Sequence, residues 1–326
     1  MPLNTSPAAS EVANSWSRFP FGVNEILRRS GFNLHCGFDA VLTGNIPGGG
    51  MSRSASLSLN LLATMMEVNG IKDVGGMEMV NLAQRVENEY IGSPCGKLDQ
   101  IMITFAKAGM GTYYDPLTEK IEHIPFGGNS EDFRLVSLDT GTKRPGLEKS
   151  TYKIRRQECD ALNSFLLKHL GKQVSAIDNE QDYQQAMQLL NTHDIPVQSR
   201  LKYLYEAKQR FPDTLNAWRD GDIQRVGNHF RADGIGLRDD YEISGPELET
   251  MCDIARTVEG VYGERMLGGG DKGASGAIIE ASAFDRLKQR IETSYPKSHP
   301  QYADYYKIHP CRTVDGIQTG PLLVNS

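Results

Sequence analysis

Three short stretches concentrate residues able to do chemistry. The first, "GNIPGGGMSRSASLSLNLL", runs from Gly44 to Leu62 and sets Gly48, Gly49 and Gly50 just ahead of Ser52, Arg53 and Ser54. The first N–H groups of a helix are unpaired and carry partial positive charge, and glycines let that backbone come close to an anion. A strand, then glycines, then a helix opening on serines therefore makes a phosphate cradle. The same residues also suit a tight turn in which Ser52 caps the helix. A Walker A loop is excluded, since no Gly-Lys-Ser/Thr follows. The second stretch is "ENEYIGSPCGKLDQ", Glu87 to Gln100. Asp99 opens an apolar-faced helix after a glycine turn, where the helix dipole favours a carboxylate. It can accept the proton of a substrate hydroxyl or act as a plain surface cap. Glu87, on the preceding helical pattern, can hold a hard cation through oxygen or face solvent. The third stretch, "MLGGGDKGASGAIIEASA", begins at Met266. Gly268, Gly270 and Gly273 match dinucleotide-loop spacing, but strand-like rather than helical text follows, so a Rossmann site is excluded.

The elements that must carry these groups alternate. Asn33–Gly44 is rich in β-formers and reads as a strand, and Ser52–Asn69 as a buried helix. Met77–Tyr90 and Gly96–Lys107 read as helices, "GMGTYYD" and "KIEHIPF" as a hairpin about "PLTE", and "FRLVSLDTG" as a strand. From Ser150 helical patterns dominate: Ser150–Leu170, Asp182–His193, Gln198–Arg219, Ile223–Leu237 and Gly245–Glu259. A strand ("GAIIEASA"), a helix (Phe284–Thr293) and a strand ("ADYYKIHPC") follow. A length of 326 residues suggests two domains. The texture change at "KRPGLEKS" places them at 1–147 and 148–326.

Bulk properties narrow the class. An apolar fraction of 39% with 23% charged residues is that of a globular protein with a real core. A net charge of −6, with both signs mixed, argues against nucleic acid or an anionic membrane as partner. The five cysteines are scattered without metal-ligand spacing, which points to a reduced, cytoplasmic compartment. No apolar run is long enough to span a bilayer. The first fifteen residues lack the features of a secretory signal and read as a loosely tied terminus.

Taken together and in order, the motifs resemble those of the galactokinase branch of the GHMP small-molecule kinases. "IPGGGMSRSAS" is similar to the family's "PLGGGLSSSAS", "CGKLDQ" to its "CGIMDQ", and "MLGGGDKG" to its "MTGGGFGG". "STYKIRRQEC", "GLRDDYEISGPEL" and "SWSRFPFGVNEIL" also look like family text, so the likeness runs from Trp16 to the end. The resemblance implies an α+β, two-domain GHMP fold, with a ribosomal S5 domain 2-like first part and a ferredoxin-like second part. It implies ATP and Mg2+ as cofactors and a small sugar as substrate. By the same resemblance, Gly48, Gly49, Gly50, Ser52, Arg53 and Ser54 wrap the ATP phosphates, and Gly268, Gly269 and Gly270 close the nucleotide cleft. Trp16 packs near adenine. Asp99 is the base for the sugar's anomeric hydroxyl, Glu87 and Ser52 hold magnesium, Tyr152 touches the sugar, and Arg144 lies near the sugar or near the phosphates.

Three departures bear on this. The family's "GRVNLIGEHTDY" signature, which precedes the counterpart of Trp16, has no copy here. The resemblance then implies an N-terminally truncated first domain with a bared sheet edge and possible self-association as a homodimer. Arg53 stands where the family has a magnesium-holding serine. Its nitrogens only donate, so it suits phosphate rather than a cation, leaving Ser52 and Ser54 as ligands. Asp271-Lys272 replaces Phe-Gly, setting one repulsive and one attractive charge toward phosphate. The expected activity is an ATP-dependent kinase for the 1-hydroxyl of galactose or a related sugar. The alternative is a non-catalytic relative that senses ligands or binds a partner.

Overall fold

The computed structural model describes residues 3–12, 16–44, 50–143 and 150–320, which fall into two compact units. One unit comprises Met1–Pro47, Ser52–Pro125 and Thr313–Ser326; the other comprises Gly48–Met51 and Phe126–Arg312. The architecture is α+β, as expected. Gly48, Gly49 and Arg144 lie outside the described residues.

The first unit is built on helices α1 (Arg18–Arg29), α2 (Arg53–Val68), α3 (Gly76–Arg85) and α4 (Leu98–Phe105). In α1, Val23, Ile26 and Leu27 fall on one face and are buried against Leu59, Leu62, Met66, Leu82 and Val86. On the outer side Glu25 pairs with Arg28 at 3.2 Å and Arg29 at 2.8 Å. The sequence reading missed α1 because of Pro20 and Gly22. Pro20 sits in the first turn, where its missing N–H costs no helical bond. Gly22 is needed because a Cβ there would lie 2.9 Å from the Tyr90 ring.

Asn33–Gly44 is not a strand. Strand formation requires a paired neighbour, and no described residue forms a strand ladder with this segment. One side chain substitutes for the ladder: Asn69 Oδ1 accepts from the N–H groups of His35 (2.7 Å) and Cys36 (2.8 Å), and its Nδ2 donates to Cys36 O (2.9 Å). Strands β1 (Met110–Asp115) and β2 (Lys120–Pro125) form the expected antiparallel hairpin. Residues from the far end of the chain then return to α4. The N–H groups of Gly316 and Ile317 donate to Ala106 O and Ile103 O, each at 2.8 Å. Asp315 Oδ1 and Thr313 Oγ1 accept from the N–H groups of Ala108 and Gly109.

The second unit holds a four-stranded antiparallel sheet, order β4-β5-β3-β6, from β3 (Phe133–Asp139), β4 (Val261–Met266), β5 (Ala274–Glu280) and β6 (Lys307–Cys311). Helices α5 (Thr151–Leu170), α6 (Glu180–Thr192) and α7 (Gln198–Asp220) share an apolar cluster of Leu162, Leu166, Ile177, Leu190 and Leu201. Helix α8 (Ile223–Asp239) lies close on β4 through Gly227, where a Cβ would come within 2.4 Å of Tyr262. Helices α9 (Pro246–Arg256) and α10 (Phe284–Ser298) pack Met251, Ala255, Leu287, Ile291 and Tyr295 onto Val136, Leu138, Ala277 and Ile279. The expected junction at 147/148 falls inside this unit. β3 pairs with β5 and β6, and so belongs with the later chain rather than the earlier. β4 was also unforeseen, since Gly263 and the charged Glu264 and Arg265 break a strand-like pattern.

Candidate functional site

The two carboxylates singled out from the sequence lie together in the first unit. After α3 the helix widens into a π-turn, Val86–Ile91, a rare geometry that recurs at functional sites. Gly92, at φ 79°, ends it. Glu87 sits in this turn and is only 3% exposed. Two neutral groups hydrogen-bond its carboxylate: the Ser54 side chain, from the first turn of α2, and Gln100 Nε2, which donates to Oε1 at 2.9 Å. Burial pushes the Glu87 pKa up from its ordinary value. The bond from Ser54 opposes that, the nearby charge of Asp99 adds to it, and the bond from Gln100 opposes it. Asp99 stands half-buried in the first turn of α4.

The loop between the π-turn and α4 is clamped by side chains that the sequence reading did not single out. Asn88 Oδ1 accepts from Cys95 N–H at 2.8 Å. Asn88 Nδ2 and Gln84 Nε2 both donate to Cys95 O, at 3.2 and 3.0 Å. The Cys95 thiol is pushed up to about 12 by burial and the neighbouring Glu87, so it stays protonated and is no nucleophile. Gln100 is 1% exposed, and its Oε1 has no hydrogen-bond partner among the described residues. Its place directly after Asp99 in "CGKLDQ" was the available signal. Asn88 gave none, because its partner is a backbone seven residues on.

Ser52 is the N-cap residue of α2, in the left-handed region at φ 53°, and makes no side-chain cap bond. Capping by its hydroxyl is thus not its role here. Arg53 is exposed at the start of α2, and Trp16 is 45% exposed ahead of α1.

The glycine turns belong to the second unit. Gly50, at φ 81°, approaches the β4–β5 loop so closely that a Cβ would lie 3.1 Å from Leu267 O and 3.2 Å from Ala274 N. Gly268 and Gly270 in that loop also have positive φ, 68° and 75°, and Gly269 lies half-buried between them. A Cβ at Gly270 would fall 1.9 Å from Ile243 O, so only glycine fits. Asp271 has a structural partner. Its Oδ2 accepts from Thr151 N–H at 2.6 Å, capping α5, whose own N-cap Ser150 makes no side-chain cap bond. The carboxylate is thereby committed to a helix N-terminus. Lys272 Nζ stands 3.6 Å from Oε1 of the buried Glu247. Tyr152 packs with Tyr203 and Tyr241 against Leu237, Ile243, Leu248 and Met266.

Comparison with known proteins bears on this arrangement. Residues 19–107, from α1 through α4 and so including both carboxylates, match the GHMP kinases N terminal domain. Over 305 residues the chain is 30% identical to the galactokinase of Limosilactobacillus fermentum, covering 93% of this chain and 77% of that protein. The chain belongs to the galactokinase family. The Bacillus subtilis galactokinase is likewise 30% identical over 296 residues, 90% of this chain and 74% of that protein. The crystal structure of Lactococcus lactis galactokinase complexed with galactose superposes with a TM-score of 0.84 at 25% identity, covering 96% of this chain and 78% of that one. Methanococcus jannaschii mevalonate kinase, with a TM-score of 0.57 at 14% identity over 97% of this chain and 81% of its own, shares the fold. No helix among the described residues of this family member is long and apolar enough to cross a membrane.

Proposed function

We propose that this protein transfers the γ-phosphoryl group of ATP to the anomeric hydroxyl of galactose or a related sugar. Membership of the galactokinase family supports the reaction class. The single observation that carries the site is the buried Glu87, held by Ser54 and Gln100, with the half-buried Asp99 close enough for its charge to act on it. Asp99 takes the proton of the sugar hydroxyl as its oxygen bonds to phosphorus and ADP leaves. The backbone of Gly48, Gly49 and Gly50, with Gly268, Gly269 and Gly270, offers N–H groups to the phosphates. Arg53 adds a donor-only cation suited to phosphate oxygen. Tyr152 and Arg144 contact the sugar, and Trp16 the adenine.

The donor set around Glu87 fits a magnesium ion. It is all oxygen, from Glu87 and Ser54, with Ser52 two residues earlier in the chain as a further hydroxyl, and the buried Gln100 Oε1 has no partner among the described residues. Among the described residues no group of three or more His, Cys, Asp or Glu could bind a metal alone. Magnesium is commonly held by one or two carboxylates together with phosphates. When bound, it neutralises charge on the phosphate oxygens during transfer. The five cysteines, scattered along the sequence, support a reducing, cytoplasmic setting for the reaction.

The test is ADP release with galactose, galacturonate, arabinose and glucuronate, with and without magnesium. Magnesium-dependent turnover with at least one sugar is expected, and Asp99→Asn should cut it about 100- to 10,000-fold. No turnover with any sugar overturns the proposal in favour of a non-catalytic ligand sensor.

A further inference from the structure

Gln100 carries an unexplained polar atom at the centre of this site. Its amide orientation follows from its neighbour. Nε2 donates to Glu87 Oε1 at 2.9 Å, and the reversed amide would set two acceptors against each other. Nε2 also lies 3.6 Å from Cys95 Sγ, whose backbone Asn88 and Gln84 hold in place. The amide therefore presents its carbonyl oxygen in a fixed direction. That oxygen is buried and has no donor among the described residues, an arrangement folding disfavours. Its surroundings supply acceptors instead. Glu87 and Asp99 are carboxylates, and the Ser54 hydroxyl is spent on Glu87. An acceptor-rich, donor-poor pocket is matched by a hydrated divalent cation, whose bound waters donate strongly.

We propose that Gln100 is a positioning residue: its amide nitrogen orients Glu87, and its buried carbonyl oxygen accepts a hydrogen bond from a water on the divalent cation that Glu87 holds. This rests on the reading of Glu87 as a metal-holding residue. Gln100 thereby acts on the ion through Glu87 and through water, without ligating it.

The experiment uses the full chain saturated with a non-hydrolysable ATP analogue, and Mn2+ as the probe, followed by its EPR signal. Gln100→Met keeps the side-chain volume and removes both polar groups. Gln100→Asn keeps the amide but withdraws it by one methylene, and serves if the first variant folds poorly. Either should weaken Mn2+ binding about 10- to 100-fold. Nucleotide affinity measured in EDTA should remain unchanged, a split that a merely structural defect would not produce. Mn2+ binding equal to wild type in both variants, or equal losses of metal and metal-free nucleotide affinity, overturns the inference. Glu87→Gln separates the two levels. If it abolishes Mn2+ binding while the Gln100 variants bind normally, only the role of Gln100 falls. If it binds Mn2+ like wild type, or if wild type binds none, the metal reading of Glu87 falls and this inference with it.

Discussion

Two buried glutamates, one from each unit, are treated in opposite ways. Glu264, on β4 of the second unit, is 1% exposed and receives Arg231 Nε at 3.0 Å and Arg256 Nε at 2.8 Å. Glu87, in the π-turn of the first unit, is 3% exposed and, among the described residues, receives only the neutral Ser54 and Gln100, with the Asp99 carboxylate nearby. Burying a charge is costly unless it is paired. At Glu264 the chain supplies the counter-charge itself and gains a brace between α8, α9 and β4. At Glu87 no described residue supplies one. That is poor economy for a scaffold and good preparation for an incoming cation.

Several substitutions can break or sharpen this contrast. The largest effect is expected at Glu264→Ala, which strands two partly buried arginines and should cost about 3 kcal/mol in urea unfolding. Glu87→Gln, measured in the same way without metal at neutral pH, should leave stability unchanged or raised. A loss as large as that at Glu264 would show that both glutamates are structural.

The pH dependence should also separate the units. Glu87 has its pKa raised on folding, so its contribution is present below the unfolded value and lost as pH climbs through the raised one. Metal-free stability relative to Glu87→Gln should fall across that window. Glu158, on α5, behaves oppositely. Burial acts to raise its pKa, but hydrogen bonds from Arg200 and Arg155 outweigh this and lower it. Its contribution is present above the unfolded value and lost as pH falls through the lowered one, so stability relative to Glu158→Gln should drop on acidification. Matching signs for the two difference curves would end the contrast. The smallest effect is expected at Asp271→Ala, about 1 kcal/mol for a lost helix cap; a gain in nucleotide affinity without loss of stability would instead put that carboxylate against phosphate.

Much of the fold was legible in the sequence, and the exceptions share a cause. Helices α2 to α10 and the β1–β2 hairpin follow from local periodicity and turn residues, which the chain carries within each segment. Asn33–Gly44 misled because a strand is a property of two segments, and Asn69 supplies the bonds a neighbour would have made. β4 was hidden because its buried charge is solved by arginines on two other helices. The site divides along the same line. Residue type and motif position pointed to Glu87 and Asp99, and the structure brings them together. The Gln100 carbonyl and the capping by Asp271 depend on placement; in the second case donor and acceptor lie 120 residues apart.

The tail that returns to α4 sets a constraint on biosynthesis. Ile103 and Ala106 offer carbonyls at the end of the helix bearing Asp99, and the N–H groups that answer them come from Ile317 and Gly316. A ribosome thus delivers Ala108 and Gly109 more than two hundred residues before Asp315 and Thr313 can receive their N–H groups. As the chain emerges and its leading portion folds first, these four hydrogen bonds are the last of this unit to form.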